Sequence, residues 1–261
     1  MPANGEPPRH EAVAFLSSGT PEADAALRRL TRIYGNVDPD RADVLVALGG
    51  DGLMLQVLHR FMGSGKPIYG MNRGSVGFLM NEYVEDGLHE RLDAALRSMV
   101  HPLVMSATDR HGEIATARAI NEVSLLRQSS QVAKVRISID GRERLNELIA
   151  DGLLVATPAG STAYNLSANG PILPLDAALM ALTPISAFRP RRWRGALLSD
   201  QARVTVEVLE SDKRPVAATA DHFEIKDVAT IEIAMDHETG LVLLHDPGHS
   251  LDERILREQF G

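Results

Sequence analysis

The chain of 261 residues contains no cysteine, which excludes disulfides, thiolate metal sites and cysteine nucleophiles. It has no apolar run near the roughly 20 residues needed to span a bilayer. Met1 to Arg9 lacks the apolar stretch of a signal peptide, so a soluble cytoplasmic protein is the expectation. Lysine is scarce. Only Lys66, Lys134, Lys213 and Lys226 occur, and none follows a glycine loop in the Walker pattern. Gly63-Ser64-Gly65-Lys66 comes nearest, but Pro67 blocks the helix that would cradle a phosphate, which leaves a connecting turn. Positive charge is short overall. A net charge of −8 argues against general nucleic-acid binding and against anionic membranes. A polyanionic ligand must then be met by backbone amides, a metal ion or a few arginines. Core-forming material is in ordinary supply: 44% hydrophobic and 24% charged residues, in a length suited to one large domain or two modest ones.

The most telling positive feature is Gly49-Gly50-Asp51-Gly52. It follows the strand-like run Ala42–Leu48 and leads into the helix-like run Leu53–Leu58. A glycine turn between strand and helix lets a phosphate approach bare backbone, and the helix N-terminus offers N–H groups and partial positive charge. A carboxylate is unfavourable for plain phosphate binding there. Asp51 therefore needs another task, such as holding Mg²⁺ or accepting a proton from a hydroxyl.

The chain divides into two halves of different pattern. The fold class is α/β: an N-terminal α/β nucleotide-binding domain over residues 1–100, plus a β-rich, sandwich-like second domain over 101–246. A C-terminal helix over 247–261 is expected to return to the first domain. In the first half, strands are expected over Glu11–Leu16, Ala42–Leu48 and Pro67–Met71. Helices are expected over Pro21–Ile33, capped by Thr20, over Gly52 to about Met62, and over Asp86–Met99. That alternation implies a parallel sheet, with ligands at the carboxyl ends of its strands. In the second half, Lys134–Ile139, Arg203–Val208 and Thr230–Ala234 alternate with period two, and Asp140-Gly141 marks a tight turn.

Three further segments could carry chemistry. Asn72-Arg73-Gly74-Ser75-Val76-Gly77-Phe78-Leu79 follows a strand, and a plain glycine turn with Phe78 in the core would explain it equally well. Asn121-Glu122 opens the strand Val123–Leu126, where a solvated turn is the ordinary reading. The third runs from Asp151 to Pro171: a buried strand ends in Thr157-Pro158, a small-residue loop follows, and then a helical turn with Ser161 as a plausible cap. Its concentration of small and hydroxyl-bearing residues favours a binding loop.

Together these motifs resemble the bacterial NAD kinase family, in order and over nearly the whole chain. The Gly-Gly-Asp-Gly turn alone is shared with lipid kinases and phosphofructokinases, whereas Thr157-Pro158-Ala159-Gly160-Ser161-Thr162-Ala163-Tyr164 with the Asn-Glu pair is far more specific. The resemblance implies ATP-dependent, Mg-assisted phosphorylation of the adenosine ribose 2′-hydroxyl of NAD. It implies Asp51 as proton acceptor, Gly52 beside it facing the substrate, and Phe78 lining the NAD cleft between the domains. Asn121 and Glu122 would hold NAD, with Glu122 on ribose hydroxyls. Asp151 would bind the nicotinamide-side half, often across a subunit interface. Thr162, Ala163, Tyr164, Asn165, Leu166 and Ser167 would embrace the adenosine part, and Asp221 would be a further substrate-side carboxylate. It also implies a homodimer or homotetramer, with NAD and ATP as substrates.

Four positions depart from the pattern: Leu53 and Ala159 where threonine is usual, Asn169 where glycine is usual, and Ala150 where a small or basic residue is common. The basic run Phe188–Arg194 reads either as a solvated loop or as an interface loop near a dinucleotide phosphate or ring. His245 and His249 are four apart, but Pro247-Gly248 interrupts any helix that would pair them at a metal. Two other functions stay open from the residues alone. One is a kinase of lipids or other small alcohols using the same glycine turn, and the other is a non-catalytic NAD-sensing module.

Overall fold

The structure, a computed structural model, describes residues 10–74 and 77–248. The helix expected over 247–261 lies almost entirely outside the described residues, as does His249. The chain forms two compact units, one from the residues up to Val100 and again from Gly240, the other over His101–Thr239. No helix among the described residues is long and apolar enough to cross a membrane.

The first unit alternates β1 (Val13–Ser17), α1 (Pro21–Tyr34), β2 (Val44–Gly49), α2 (Asp51–Arg60), β3 (Ile68–Asn72), α3 (Leu88–Ala94) and β4 (Leu96–Val100). The Thr20 hydroxyl accepts from Ala23 N, Pro21 occupies the first turn, and Gly35 at φ 75° ends α1. Every residue of β2 is buried, as a strand covered on both faces requires. The helix expected over Asp86–Met99 is only half present. Leu88 and Leu92 are its buried face, but Leu96 and Met99 at the same spacing are 49% and 52% exposed and lie in β4. Long-range strand pairing overrides the local periodicity there.

The second unit is almost all strand: β5 (Leu103–Asp109), β6 (Ile114–Ala119), β7 (Glu122–Arg127), β8 (Ala133–Ile139), β9 (Arg142–Ala150) and β10 (Gly152–Ala156). A short helix α4 (Tyr164–Ser167) intervenes before β11 (Leu179–Ile185), β12 (Ala196–Ser199), β13 (Val204–Val208), β14 (Val216–Ala220), β15 (Phe223–Ile225) and β16 (Val228–Met235). These make two antiparallel six-stranded sheets, ordered β6-β5-β16-β13-β8-β9 and β12-β11-β10-β7-β14-β15. One core joins them, with Met105, Ile137, Val206 and Ile231 from the first sheet and Val123, Leu125, Val155 and Leu182 from the second. Asp140 and Gly141 both have positive φ and close the β8–β9 hairpin between Ile139 and Arg142.

The last strand, β17 (Leu241–His245), leaves this unit and joins the first sheet, giving the order β1-β2-β3-β17-β4. It runs parallel to β3 and antiparallel to β4. The sequence pattern places 240–246 in the β-rich half, whereas the fold puts the chain from Gly240 in the first unit. The unbroken apolar run Leu241–Leu244 suits a strand buried on both faces of an α/β sheet.

Candidate active site

In the first unit, β2 ends at Gly49 and α2 begins at Asp51, with Gly50 as an extended N-cap. A Cβ on Gly50 or Gly52 would meet open space, so this stretch of backbone is unobstructed. Gly49 is packed: a Cβ there would press on Leu53 Cδ2 at 2.9 Å and Ser18 Cβ at 3.1 Å. Leu53, the departure from threonine, thus serves as packing over Gly49. The Asp51 carboxylate is fixed by the neighbouring loop. Phe78 N donates to Oδ2 at 2.8 Å and Leu79 N donates to Oδ1 at 3.0 Å. A Cβ on Gly77 would collide with both oxygens, so glycine is what lets this backbone close on the carboxylate. Arg73 N donates to Gly49 O at 2.8 Å and ties the same loop to the turn. Asp51, Gly52 and Phe78 therefore meet in one place. Lys66 does not join them. Its Nζ donates to Asp40 O and Ala42 O, at the chain's entry to β2, as a connecting turn would have it.

In the second unit, Asn121 and Glu122 open β7 beside the end of β10, with Ala156 opposite Glu122. Thr157 N donates to Asn121 O at 2.9 Å, and the Thr157 hydroxyl donates to Ile120 O at 2.7 Å. That hydroxyl also accepts from Gly160 N at 3.0 Å. A Cβ on Gly160 would strike the Asn121 carbonyl, so the small-residue loop lies directly on the Asn-Glu backbone. Thr157 is a brace that sequence reasoning missed; its place before Pro158 was the available signal.

The rest of the loop divides into support and surface. Ser161 is not a cap. It is fully buried in a 3₁₀ turn, where its hydroxyl donates to Pro158 O at 2.7 Å and accepts from Leu173 N at 2.9 Å. Asn165 is also fully buried, and its amide is spent on Ser161 O, Pro171 O and the Thr183 hydroxyl. It supports the loop, and its partner Thr183 on β11 carries no sequence signal. Thr162, Ala163, Tyr164 and Leu166 are half-buried and Ser167 is exposed, so these remain on the surface. Asn169 takes φ 61°, the left-handed backbone that a glycine would have supplied. Tyr164 and Ser167 line a cavity of about 300 Å³ together with Ser186, Arg191, Trp193 and Arg194, so the basic run faces the loop of the same chain.

Asp151 does not join this group. It sits at the far end of β10, where Arg127 Nε donates to its Oδ1 at 2.6 Å. Gly152 faces Leu126 while Ala156 faces Glu122, which separates Asp151 from Glu122 by roughly 17 Å of strand.

Burial, and then the nearby Asp221 carboxylate, push Glu122 up to about 7, opposed by a hydrogen bond from Tyr164 backbone N–H. Its Oε2 is buried without a hydrogen-bond partner. A carboxyl raised in the folded state stabilises most below its ordinary value of 4.5, and that contribution is lost as pH rises through about 7. Ionised Glu122 then costs on the order of 3 kcal/mol. Glu122→Gln is therefore expected to melt higher than the parent protein at pH 8, with the gain shrinking toward pH 5. Parallel thermal melts at the two pH values check this.

A family model described as the ATP-NAD kinase N-terminal domain matches residues 9–100, and one described as the ATP-NAD kinase C-terminal domain matches residues 120–238. The chain is 62% identical over 249 residues to the NAD kinase of Caulobacter vibrioides, covering 95% of this chain and 96% of that one. It is 58% identical over 253 residues to the NAD kinase of Rhizobium meliloti, covering 97% and 98%. Yeast NADH kinase, solved with NADH, has a TM-score of 0.79 at 22% identity, over 95% of this chain and 89% of that one. An NAD kinase from Archaeoglobus fulgidus, solved with ATP, has a TM-score of 0.74 at 23% identity, over 91% and 95%. At such identity the structural likeness speaks to the fold alone. With both halves matched and relatives more than half identical over nearly its full length, the chain belongs to the ATP-NAD kinase family.

Proposed function

We infer that the chain is an NAD kinase, transferring the γ-phosphoryl group of ATP to the 2′-hydroxyl of the adenosine ribose of NAD and releasing NADP, ADP and a proton. Full-length kinship supports this, and the observation that carries the chemistry is Asp51. Two backbone N–H groups hold its carboxylate beside an unobstructed glycine turn at the start of a ten-residue helix. A ribose hydroxyl is a poor nucleophile, so a positioned base that takes its proton contributes directly. The backbone of Gly50 and Gly52 suits the phosphates, and Phe78 borders the same place. Asn121, Glu122, Thr162, Ala163, Tyr164 and Ser167 are proposed to hold NAD, with Asn165 buttressing them.

The described residues contain no cluster of three or more histidines or acidic groups able to cage a metal. A divalent ion, magnesium by expectation, would arrive on the nucleotide, with phosphate and water as most of its shell. Asp51 is the carboxylate of the glycine turn that would reach it. Such an ion supplies charge neutralisation on the transferred group. Asp151, remote from Glu122 along its own strand, is proposed to serve the nicotinamide end of a site in a second copy, which implies a homodimer or homotetramer. Both substrates are cytoplasmic metabolites, and the reading places the enzyme with them. A lipid kinase or a silent NAD sensor is not favoured by the kinship or by the retained Asp51.

The test supplies purified protein with Mg-ATP and, separately, NAD, diacylglycerol and fructose 6-phosphate. NADP is the expected product, and label passing to lipid with none in NADP overturns the reading. Glu122→Gln is expected to weaken NAD binding by about 1.5–3 kcal/mol with ATP affinity kept. Calorimetry showing unchanged NAD affinity would reduce Glu122 to a turn residue.

A further inference from the structure

Asp221 occupies the two-residue turn between β14 and β15, where Ala220 pairs with Phe223. It holds φ 51°, a left-handed backbone that costs a residue bearing a side chain and persists where its surroundings demand it. What demands it is visible in the hydrogen bonds. The carboxylate accepts from three consecutive backbone N–H groups: Ile120 at 2.6 Å on Oδ2, and Asn121 at 3.0 Å and Glu122 at 3.2 Å on Oδ1. In return Asp221 N donates to Glu122 O at 3.1 Å. Successive amides converging on one point form a concavity that suits an anion. Here the protein's own side chain, about a hundred residues away in sequence, fills it.

A carboxylate occupied by three amides of its own chain is not placed to recognise a ligand. We propose that Asp221 is a positioning residue: it clamps the backbone of Ile120–Glu122 and, as a neighbouring negative charge, sets the protonation state in which Glu122 meets NAD. This rests on the reading that Glu122 receives ribose hydroxyls, and it replaces the expectation that Asp221 touches substrate.

The groups around Glu122 are few. The β14–β15 turn brings Asp221, with His222 as its other titratable residue, and the turn at Tyr164 brings a backbone N–H. Among the described residues no cationic side chain is set against Glu122. The buried Oε2 without a partner is the atom a hydroxyl donor would satisfy. A hydroxyl donates best to the ionised carboxylate. Asp221 keeps that carboxylate protonated to a higher pH in the free enzyme, so taking up NAD at neutral pH releases a proton.

Asp221→Asn tests this, because asparagine tolerates left-handed backbone, keeps one acceptor oxygen and drops the charge. In the parent enzyme KM for NAD is expected to fall as pH rises through about 7, the value toward which Glu122 is pushed. In Asp221→Asn the midpoint of that profile moves down toward the ordinary carboxylate range. At pH 8.5, where Glu122 is ionised in both proteins, the lost clamp shows as a KM for NAD raised about tenfold. Both kcat and KM for ATP stay at the parent level there. A purely structural residue would lower activity without moving the midpoint, and an unmoved midpoint overturns the proposal. Glu122→Gln is the control. If it abolishes the pH dependence while Asp221→Asn leaves the midpoint in place, Asp221 alone is misassigned. If Glu122→Gln changes neither NAD affinity nor its pH profile, the reading of Glu122 itself falls. Should Asp221→Asn fail to fold, Asp221→Ser takes its place as an uncharged acceptor, and loss of fold in both marks a structural clamp and overturns the role in NAD binding.

Discussion

Asp51→Asn is expected to lower kcat about 10²–10⁴-fold, the usual worth of one general base, while NAD affinity stays near that of the parent enzyme. The substitution keeps the size and one acceptor oxygen. It removes the proton acceptor and puts an NH₂ group against one of the two N–H groups, of Phe78 and Leu79, that now hold the carboxylate. The loop bearing Phe78 can yield a little to relieve that conflict, but nothing else in the glycine turn can accept the ribose proton. Steady-state kinetics read the turnover and calorimetry reads the binding. A parental kcat in the asparagine variant removes Asp51 from proton transfer, and a collapse of NAD affinity recasts it as a brace for Phe78.

Gly160→Ala is the second large effect, and it acts through packing. The added methyl would run into the carbonyl and Cα of Asn121, which are backbone atoms with no rotamer to escape into. The Thr157 hydroxyl ties both sides of this contact, to Ile120 O and to Gly160 N, so neither strand end can drift without losing a buried hydrogen bond. Overpacking of this kind costs about 3 kcal/mol or more. In a chain of this length that lowers Tm by roughly 6–12 °C. Because the displaced backbone carries Asn121 and Glu122, NAD affinity falls with it. A variant that melts and binds like the parent would show that the loop is not anchored on Asn121.

What was readable in the sequence was what local chemistry decides. Thr20-Pro21 starts a helix and Asp140-Gly141 closes a hairpin wherever they occur, and the Gly49–Gly52 turn identified its own strand and helix. Period-two alternation announced the β-rich unit. The misreadings share one cause, which is that distant partners decide them. Leu96 and Met99 continue the spacing of a helix, but β17 is available to pair with that segment. Leu241–Leu244 follows a β-rich stretch and shares the lack of alternation of β10 there, so only its pairing with β3 and β4 assigns it to the first sheet. Within the site, the residues that face outward were legible as a motif. Those that hold it were not: Asp221 reaches Ile120 across a hundred positions, and Thr183 reaches Asn165 from another strand. Ser161 reads as a cap and Asn165 as a ligand contact because a sequence does not reveal that a hydroxyl or amide is already spent.

The return of the chain to its first sheet bears on how the molecule is made. β17 stands between β3 and β4, so until it leaves the ribosome β4 has no ladder partner in the sheet and β3 is paired there only along β2. The nascent chain then carries an open sheet edge throughout synthesis of the β-rich unit. That unit is contiguous, His101–Thr239, and every strand it needs has been translated before β17 begins. The usual order, in which the N-terminal part matures first, is inverted. The glycine turn that bears Asp51 is translated before the whole β-rich unit, and it waits for the last described strand to complete the sheet on which it stands.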